Sequence, residues 1–195
     1  MVALKVDLKN FEPVIKEMSK MADKKTMNTI IIRSANDAAK SGAAESRRQI
    51  REEYTLPLSE LKIRVKPYLS VRELCAGIKM NGTPIPLAEF KYTPKIPSYQ
   101  NPAPIKVEIK KGQKTILGKN SSSGISPFIA IMKSGKMGIF RRKTEKRLPI
   151  ESFPGPSVAG LINANEDVQN KILDYTLQKF EERLNHHFDH LVLNS

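Results

Sequence analysis

The apolar spacing of this chain switches at Leu56-Pro57 and switches back near residue 164, and that pattern limits the folds open to it. Before the switch, apolar residues recur every three or four positions, the period of a helix face. After it come short apolar runs bounded by Gly and Pro, which is how strands read. The order predicted is helix, helix, mostly antiparallel strands with hairpins, helix. That is an α+β single domain over residues 1–195, helical over 7–53, β-rich over 63–150 and closed by a helix over about 165–191.

Within this frame, Asp7 is placed to cap a first helix running to about Met21, with Leu8, Phe11, Ile15 and Met18 on one face. Pro13 inside it predicts a late start or a kink near residue 10. A second helix is expected from Asp23 or Thr26 to Glu53, its inward stripe being Met27, Ile31, Ala35, Ala38, Ala39, Gly42 and Ile50. The small middle of that stripe lets another element approach closely. Leu58–Leu61 reads as one helical turn leading into a strand.

Expected strands are Cys75–Met80, Leu87–Tyr92, Ile105–Lys110, Phe128–Met132 and Met137–Arg142. Residues 105–117 form one hairpin turning at Lys111-Gly112-Gln113, and a second turns at Ser134-Gly135. Segment 93–104 holds four prolines in twelve residues, so it does not belong in a sheet interior. Segment 118–126 reads as a flexible polar loop. A short helical piece begins at Pro156-Ser157. In the last helix Asn165 is the cap, and Val168, Ile172/Leu173, Tyr175, Leu177, Phe180, Leu184, Phe188 and Leu191 form the stripe.

Hydrophobic content is 39% with no Trp and 6% aromatics, so the core must rest on Ile, Leu, Val, Ala and a few rings. The lone cysteine, Cys75, excludes an intramolecular disulfide and reads as a small buried hydrophobe in a reducing compartment. No apolar run approaches the roughly 18 residues of a membrane span. The amphipathic, charged amino terminus does not read as a signal peptide, so assembly in the cytoplasm is expected.

The net charge of +13 is unevenly placed. Residues 104–147 carry twelve Lys and Arg against only Glu108 and Glu145, a balance of +10. Residues 163–195 are acidic, with a balance of −3. Such polarity suits a polyanion partner or head-to-tail contact between copies. The densest basic stretch is KMGIFRRKTEKRLPI, residues 136–150. It reads as a hairpin arm presenting Arg141, Arg142, Lys143, Lys146 and Arg147, with Lys133 and Lys136 beside the turn, and Leu148 and Ile150 returning the chain to the core.

Catalytic chemistry finds little footing. His186, His187 and His190 form HHxxH, and the i, i+4 pair His186/His190 has zinc-holding spacing, but no glutamate follows the first histidine. A metal-dependent nuclease needs clustered carboxylates, and the basic segment offers only Glu108 and Glu145. Glu45, Glu52 and Glu53, beside Arg47, Arg48 and Arg51, read as a solvated helix face with intrahelical pairing. No catalytic residue, metal or cofactor is expected. Non-specific DNA binding through phosphates stays open as the alternative function, without a helix-turn-helix, zinc finger or aromatic ribonucleoprotein strand to make it sequence-specific.

Three motifs carry a family resemblance over most of the chain: SRRQIREEY at 46–54, GTPIPLAEF at 82–90, and SPFIAIMKSGKMGIFRRKTEKRLPIESFPGPSV at 126–158. With these the chain resembles the minor tail protein Z family of long-tailed phages and prophages, also called tail completion proteins. The resemblance implies a structural virion protein acting late in assembly at the head-proximal end of the tail. It implies work as a ring, commonly of six copies, around the DNA channel, beside tail-terminator, tail-tube and neck or connector proteins, with passive contact to double-stranded DNA and no membrane partner. None of the motifs is catalytic, so the residues singled out are contacts.

Overall fold

The computed structural model describes residues 2–61, 66–70, 75–80, 82–96, 103–119, 124–132 and 134–193. In chain order the elements are β1 (Val2–Asp7), α1 (Glu12–Met18), α2 (Lys24–Glu53), β2 (Lys66–Ser70), β3 (Cys75–Met80), β4 (Lys91–Thr93), β5 (Lys106–Glu108), β6 (Lys114–Ile116), β7 (Phe128–Ile131), β8 (Met137–Arg142), β9 (Ile150–Ser152), α3 (Val158–Asn163) and α4 (Glu166–Phe188). Among the described residues the strands form three antiparallel sheets, ordered β1-β3-β2, β4-β5-β6 and β7-β8-β9. The fold is α+β. Two compact units are present, one of Met1–Gln49, Ile63–Gly82 and Ile162–Ser195, the other of Ile50–Lys62 and Thr83–Leu161.

In the first unit, Asp7, expected to cap a helix, instead ends a strand, β1. Leu4 and Val6 are buried while Lys5 and Asp7 are exposed, a period of two that seats β1 along β3, Leu4 opposite Ile78. Asp7 accepts the Lys9 N–H through Oδ1 at 3.0 Å, where the chain leaves β1 for a 3-10 turn over Lys9–Phe11. The helix starts late, at Glu12, with Pro13 in its first turn where a missing N–H is harmless. The expected burial of Cys75 concerns a side chain outside the described residues.

Asp23 caps α2, accepting the N–H groups of Lys25 and Thr26 at 2.8 and 3.0 Å. The expected stripe of Met27, Ile31, Ala35, Ala38, Ala39 and Ile50 is buried. On α4, Asn165 caps by accepting the Val168 N–H. The buried residues there are Val168, Ile172, Thr176, Phe180, Leu184 and Phe188, a strict i, i+4 series. Each such step turns about 40° round the axis, so the buried edge winds along the helix. That winding takes burial from the expected Tyr175 to Thr176, whose hydroxyl is satisfied by the Ile172 carbonyl at 2.6 Å. Val6, Leu8, Met27, Ile30, Ile31, Ala35 and Ala38 close on Phe180, Leu184 and Phe188, and Phe11 meets Phe180 edge-on at 5.1 Å.

Glu45 corrects a second expectation. It is buried at 6% exposure, not solvated. Arg48 donates to both its oxygens at 2.8 and 2.6 Å and Gln49 donates to Oε1 at 2.6 Å. Hydrogen bonds from Arg48 hold its pKa below the ordinary glutamate value against the opposing pull of burial. A carboxylate sits there because the helix itself supplies its donors.

The second unit begins where α2 ends. A helix end leaves its last carbonyls without partners, and Lys111 supplies them: its N–H donates to Glu53 O at 2.9 Å and its Nζ to Arg51 O at 2.6 Å. Lys110 pairs with the Glu53 carboxylate at 3.5 Å. Thr55 bonds the Ile109 carbonyl through its N–H at 3.0 Å and the Glu108 carbonyl through its hydroxyl. Tyr54 donates to Leu161 O at 2.8 Å. Leu87–Tyr92, expected as one strand, is instead a 3-10 turn at Leu87–Glu89 followed by β4. The turn forms because the Leu87 N–H is drawn to Phe153 O at 3.0 Å and the Phe90 N–H closes back on Leu87 O at 3.1 Å.

Candidate functional site

The basic arm is built on β8, the middle strand of the third sheet. Phe128 stands opposite Phe140 and Ile131 opposite Met137 on the β7 side; Arg141 stands opposite Glu151 and Arg142 opposite Ile150 on the β9 side. The turn between β7 and β8 uses Gly135 at φ 77°, a backbone conformation glycine adopts without strain. Alternation along β8 sends Phe140 and Arg142 to one face and Ile139 and Arg141 to the other.

On the first face the rings of Phe128 and Phe140 lie 6.1 Å apart, and the Arg142 guanidinium is 5.6 Å from the Phe128 ring. On the second, the Arg141 Nε lies 2.6 Å from Glu151 Oε1, and its guanidinium is 5.3 Å from the Phe153 ring. Lys143 reaches the other Glu151 oxygen at 3.2 Å. Donation from Arg141, then Lys143, holds the Glu151 pKa below its ordinary value.

The contact residues read from the sequence therefore fall into groups. Arg141 and Lys143 share one carboxylate, and Arg142 is half-buried beside Phe128. Lys136, Lys146 and Arg147 are exposed, and none of them makes an ion pair among the described residues. Lys133 lies outside the described residues. Glu151 is the participant that sequence reasoning missed, because the acid count stopped at residue 147. The alternation Ile150-Glu151-Ser152-Phe153 opposite the basic strand was the signal for it.

Leu148 and Ile150 do not return the chain to the core: they are 66% and 40% exposed. β9 pairs with β8 as an edge strand, and the ladder runs on to Phe153, half-buried, whose N–H donates to Ile139 O at 2.8 Å. Ile131, Met132 and Met137 are exposed as well. The arm is thus apolar and basic together.

The histidines part company. His187 Nε2 lies 3.1 Å from Asp37 Oδ2, while His186 and His190 are exposed. Among the described residues no group of three or more His, Cys, Asp or Glu is placed to hold a metal ion. Glu108, the other candidate acid, accepts the Gly112 N–H at 2.9 Å and pairs with Lys91 at 3.3 Å, holding a hairpin turn.

Two of the sequence motifs meet each other. Segment 82–90 runs against 153–158, with the Leu87 N–H on Phe153 O, the Gly155 N–H on Ile85 O at 2.7 Å and a bridge between Pro86 and Pro154. A family profile described as Prophage minor tail protein Z (GPZ) matches residues 8–192 and so takes in both partners of this junction and the whole arm. The chain belongs to that family. Minor tail protein Z is a structural component of a phage tail. No curated protein and no solved structure matches the chain. No helix among the described residues is long and apolar enough to cross a membrane.

Proposed function

We propose that this minor tail protein completes the head-proximal end of the tail and enables productive joining to the DNA-filled head, as one member of a homo-oligomeric ring around the DNA channel. The ring touches tail-terminator or tail-tube proteins on one side and neck or connector proteins on the other. The observation that carries this reading is the family match across residues 8–192. The arm supports it: exposed Lys136 lies by exposed Ile131, Met132 and Met137 at the β7-β8 turn, and exposed Lys146 and Arg147 adjoin exposed Leu148 and Ile150 at the β8-β9 bend. A surface both basic and apolar fits a neighbouring protein better than bare phosphate, because apolar side chains gain nothing from a polyanion. Charge reversal at Lys136, Lys146 and Arg147 together tests it. Titre should fall and unjoined heads and tails should accumulate; unchanged titre with normal particles would remove the arm from the reading.

A further inference from the structure

The second sheet carries a cationic surface of a different kind. Register puts Lys91, Glu108 and Lys114 in one row across β4-β5-β6 and Thr93, Lys106 and Ile116 in the next row on the same face, two residues along each strand. The opposite face holds Tyr92 and Val107, both buried. The lysine-bearing face is open: Lys91, Thr93, Lys106 and Lys114 are exposed, with Ile116 the one exposed apolar side chain in these two rows. A pocket of about 200 Å³ opens there, lined by Lys91, Tyr92, Thr93, Lys106, Glu108 and Lys114.

The charge at this pocket is not cancelled. Glu108 is satisfied by the Gly112 N–H and by Lys91, and its side chain is only 9% exposed. Lys106 and Lys114 have no carboxylate within ion-pair distance among the described residues. Lys91, Lys106 and Lys114 come from three adjacent strands, and all three line this one pocket. A threonine hydroxyl joins them. Such a set suits a phosphate oxyanion, singly charged and accepting several hydrogen bonds.

We infer that the Lys91/Lys106/Lys114 face of the β4-β5-β6 sheet is a contact site for the phosphodiester backbone of duplex DNA, distinct from the basic arm. It rests on the proposed DNA channel, for which it names the inward-facing chemistry. Contact is to phosphate alone, so it is independent of base sequence and steeply dependent on salt.

The test is fluorescence anisotropy of a labelled random-sequence duplex with the full chain, from 50 to 200 mM salt. Variants are Lys106→Gln with Lys114→Gln, and separately Lys146→Gln with Arg147→Gln; Lys91 is kept as the counter-ion of Glu108. Each lost phosphate contact lowers the salt slope by about 0.9, so the sheet variant should lose nearly 2 from the slope, and its affinity drop across that salt range should shrink about tenfold. The arm variant should keep the wild-type slope. Loss in the arm variant alone, or no duplex binding by the wild-type chain at 50 mM salt, overturns the inference. Displacement of the duplex by inorganic phosphate, at an ionic strength where chloride leaves it bound, assigns the site to free phosphate and overturns it too. Circular dichroism melts check that both variants are folded. A chain that binds duplex through the sheet, yet whose deletion leaves heads joined to tails, keeps the site and refutes the tail-completion reading; the converse pair of results does the opposite.

Discussion

Arg141 on β8 and Glu151 on β9 stand directly opposite each other, with the arginine Nε 2.6 Å from a glutamate oxygen. Lys143 takes the second oxygen at 3.2 Å, so a single carboxylate restrains two of the five basic residues in 141–147. Farther along the bend, Lys146 and Arg147 are exposed and make no ion pair among the described residues, so they are the ones open to a partner. Charge density in a sequence and charge available to a partner are different quantities.

Glu151→Gln should loosen the β8-β9 edge and lower the melting temperature slightly at neutral pH. The sign of the pH dependence follows from the depressed pKa of Glu151. A group whose folded pKa lies below its unfolded value stabilises above the unfolded value, 4.5, and loses that contribution as pH falls through the folded one. The gap between wild type and variant should thus be present at pH 7 and close as pH falls through the depressed folded value. Melting curves across an acid titration check it; a gap that persists in strong acid contradicts the pairing.

Gly42→Ala tests the close approach of α2 and α4 in the first unit. A Cβ at Gly42 would sit 2.9 Å from Ile78 Cδ1 and intrude on the Thr176 hydroxyl. Helix propensity alone favours alanine by about 1 kcal/mol, whereas overpacking costs about 1–3 kcal/mol. Net destabilisation is expected in urea melts, partly recovered by adding Thr176→Ala. A stabilised variant would show that the helices separate at no cost.

Gly155→Ala should be more severe. The added carbon would lie 2.6 Å from Ile85 O, 2.9 Å from Leu87 Cδ2 and 3.2 Å from the Phe90 ring. The first of these is backbone, held by the Gly155 N–H itself, so it does not move aside cheaply. A loss of about 3 kcal/mol or failure to fold is expected. Limited proteolysis should cut first within 83–161; cleavage confined to the other unit contradicts this assignment.

Tyr54→Phe removes the hydroxyl that reaches Leu161 O at 2.8 Å and leaves that carbonyl without its donor. About 1 kcal/mol of stability should disappear. Chemical denaturation of the variant measures it, and an unchanged midpoint would mean that water replaces the hydroxyl.

Much of this fold was legible in the sequence wherever local chemistry and packing agree. Asp23 and Asn165 cap the helices they precede, and Met137–Arg142 forms the strand its alternation announced. What escaped was decided at a distance. β1 alternates Leu4 and Val6 with charged residues over too short a run to outweigh the helical spacing that follows. Its strand character is expressed by pairing with β3, whose partner residues lie 68 to 78 positions on. Leu87 turns instead of extending because Phe153 claims its N–H. Thr176 is buried in place of Tyr175 because the stripe winds, which single-residue hydrophobicity does not reveal. At the candidate site the basic residues were visible and their partner Glu151 was not, since only strand register brings it opposite Arg141.

The central claim, that this minor tail protein completes the head-proximal tail end, is tested most directly by negative-stain microscopy of an induced lysate lacking its gene. The expected result is filled heads lying beside unattached or poorly joined tails, corrected by supplying the gene in trans. Normal, infectious particles in that lysate would contradict the claim.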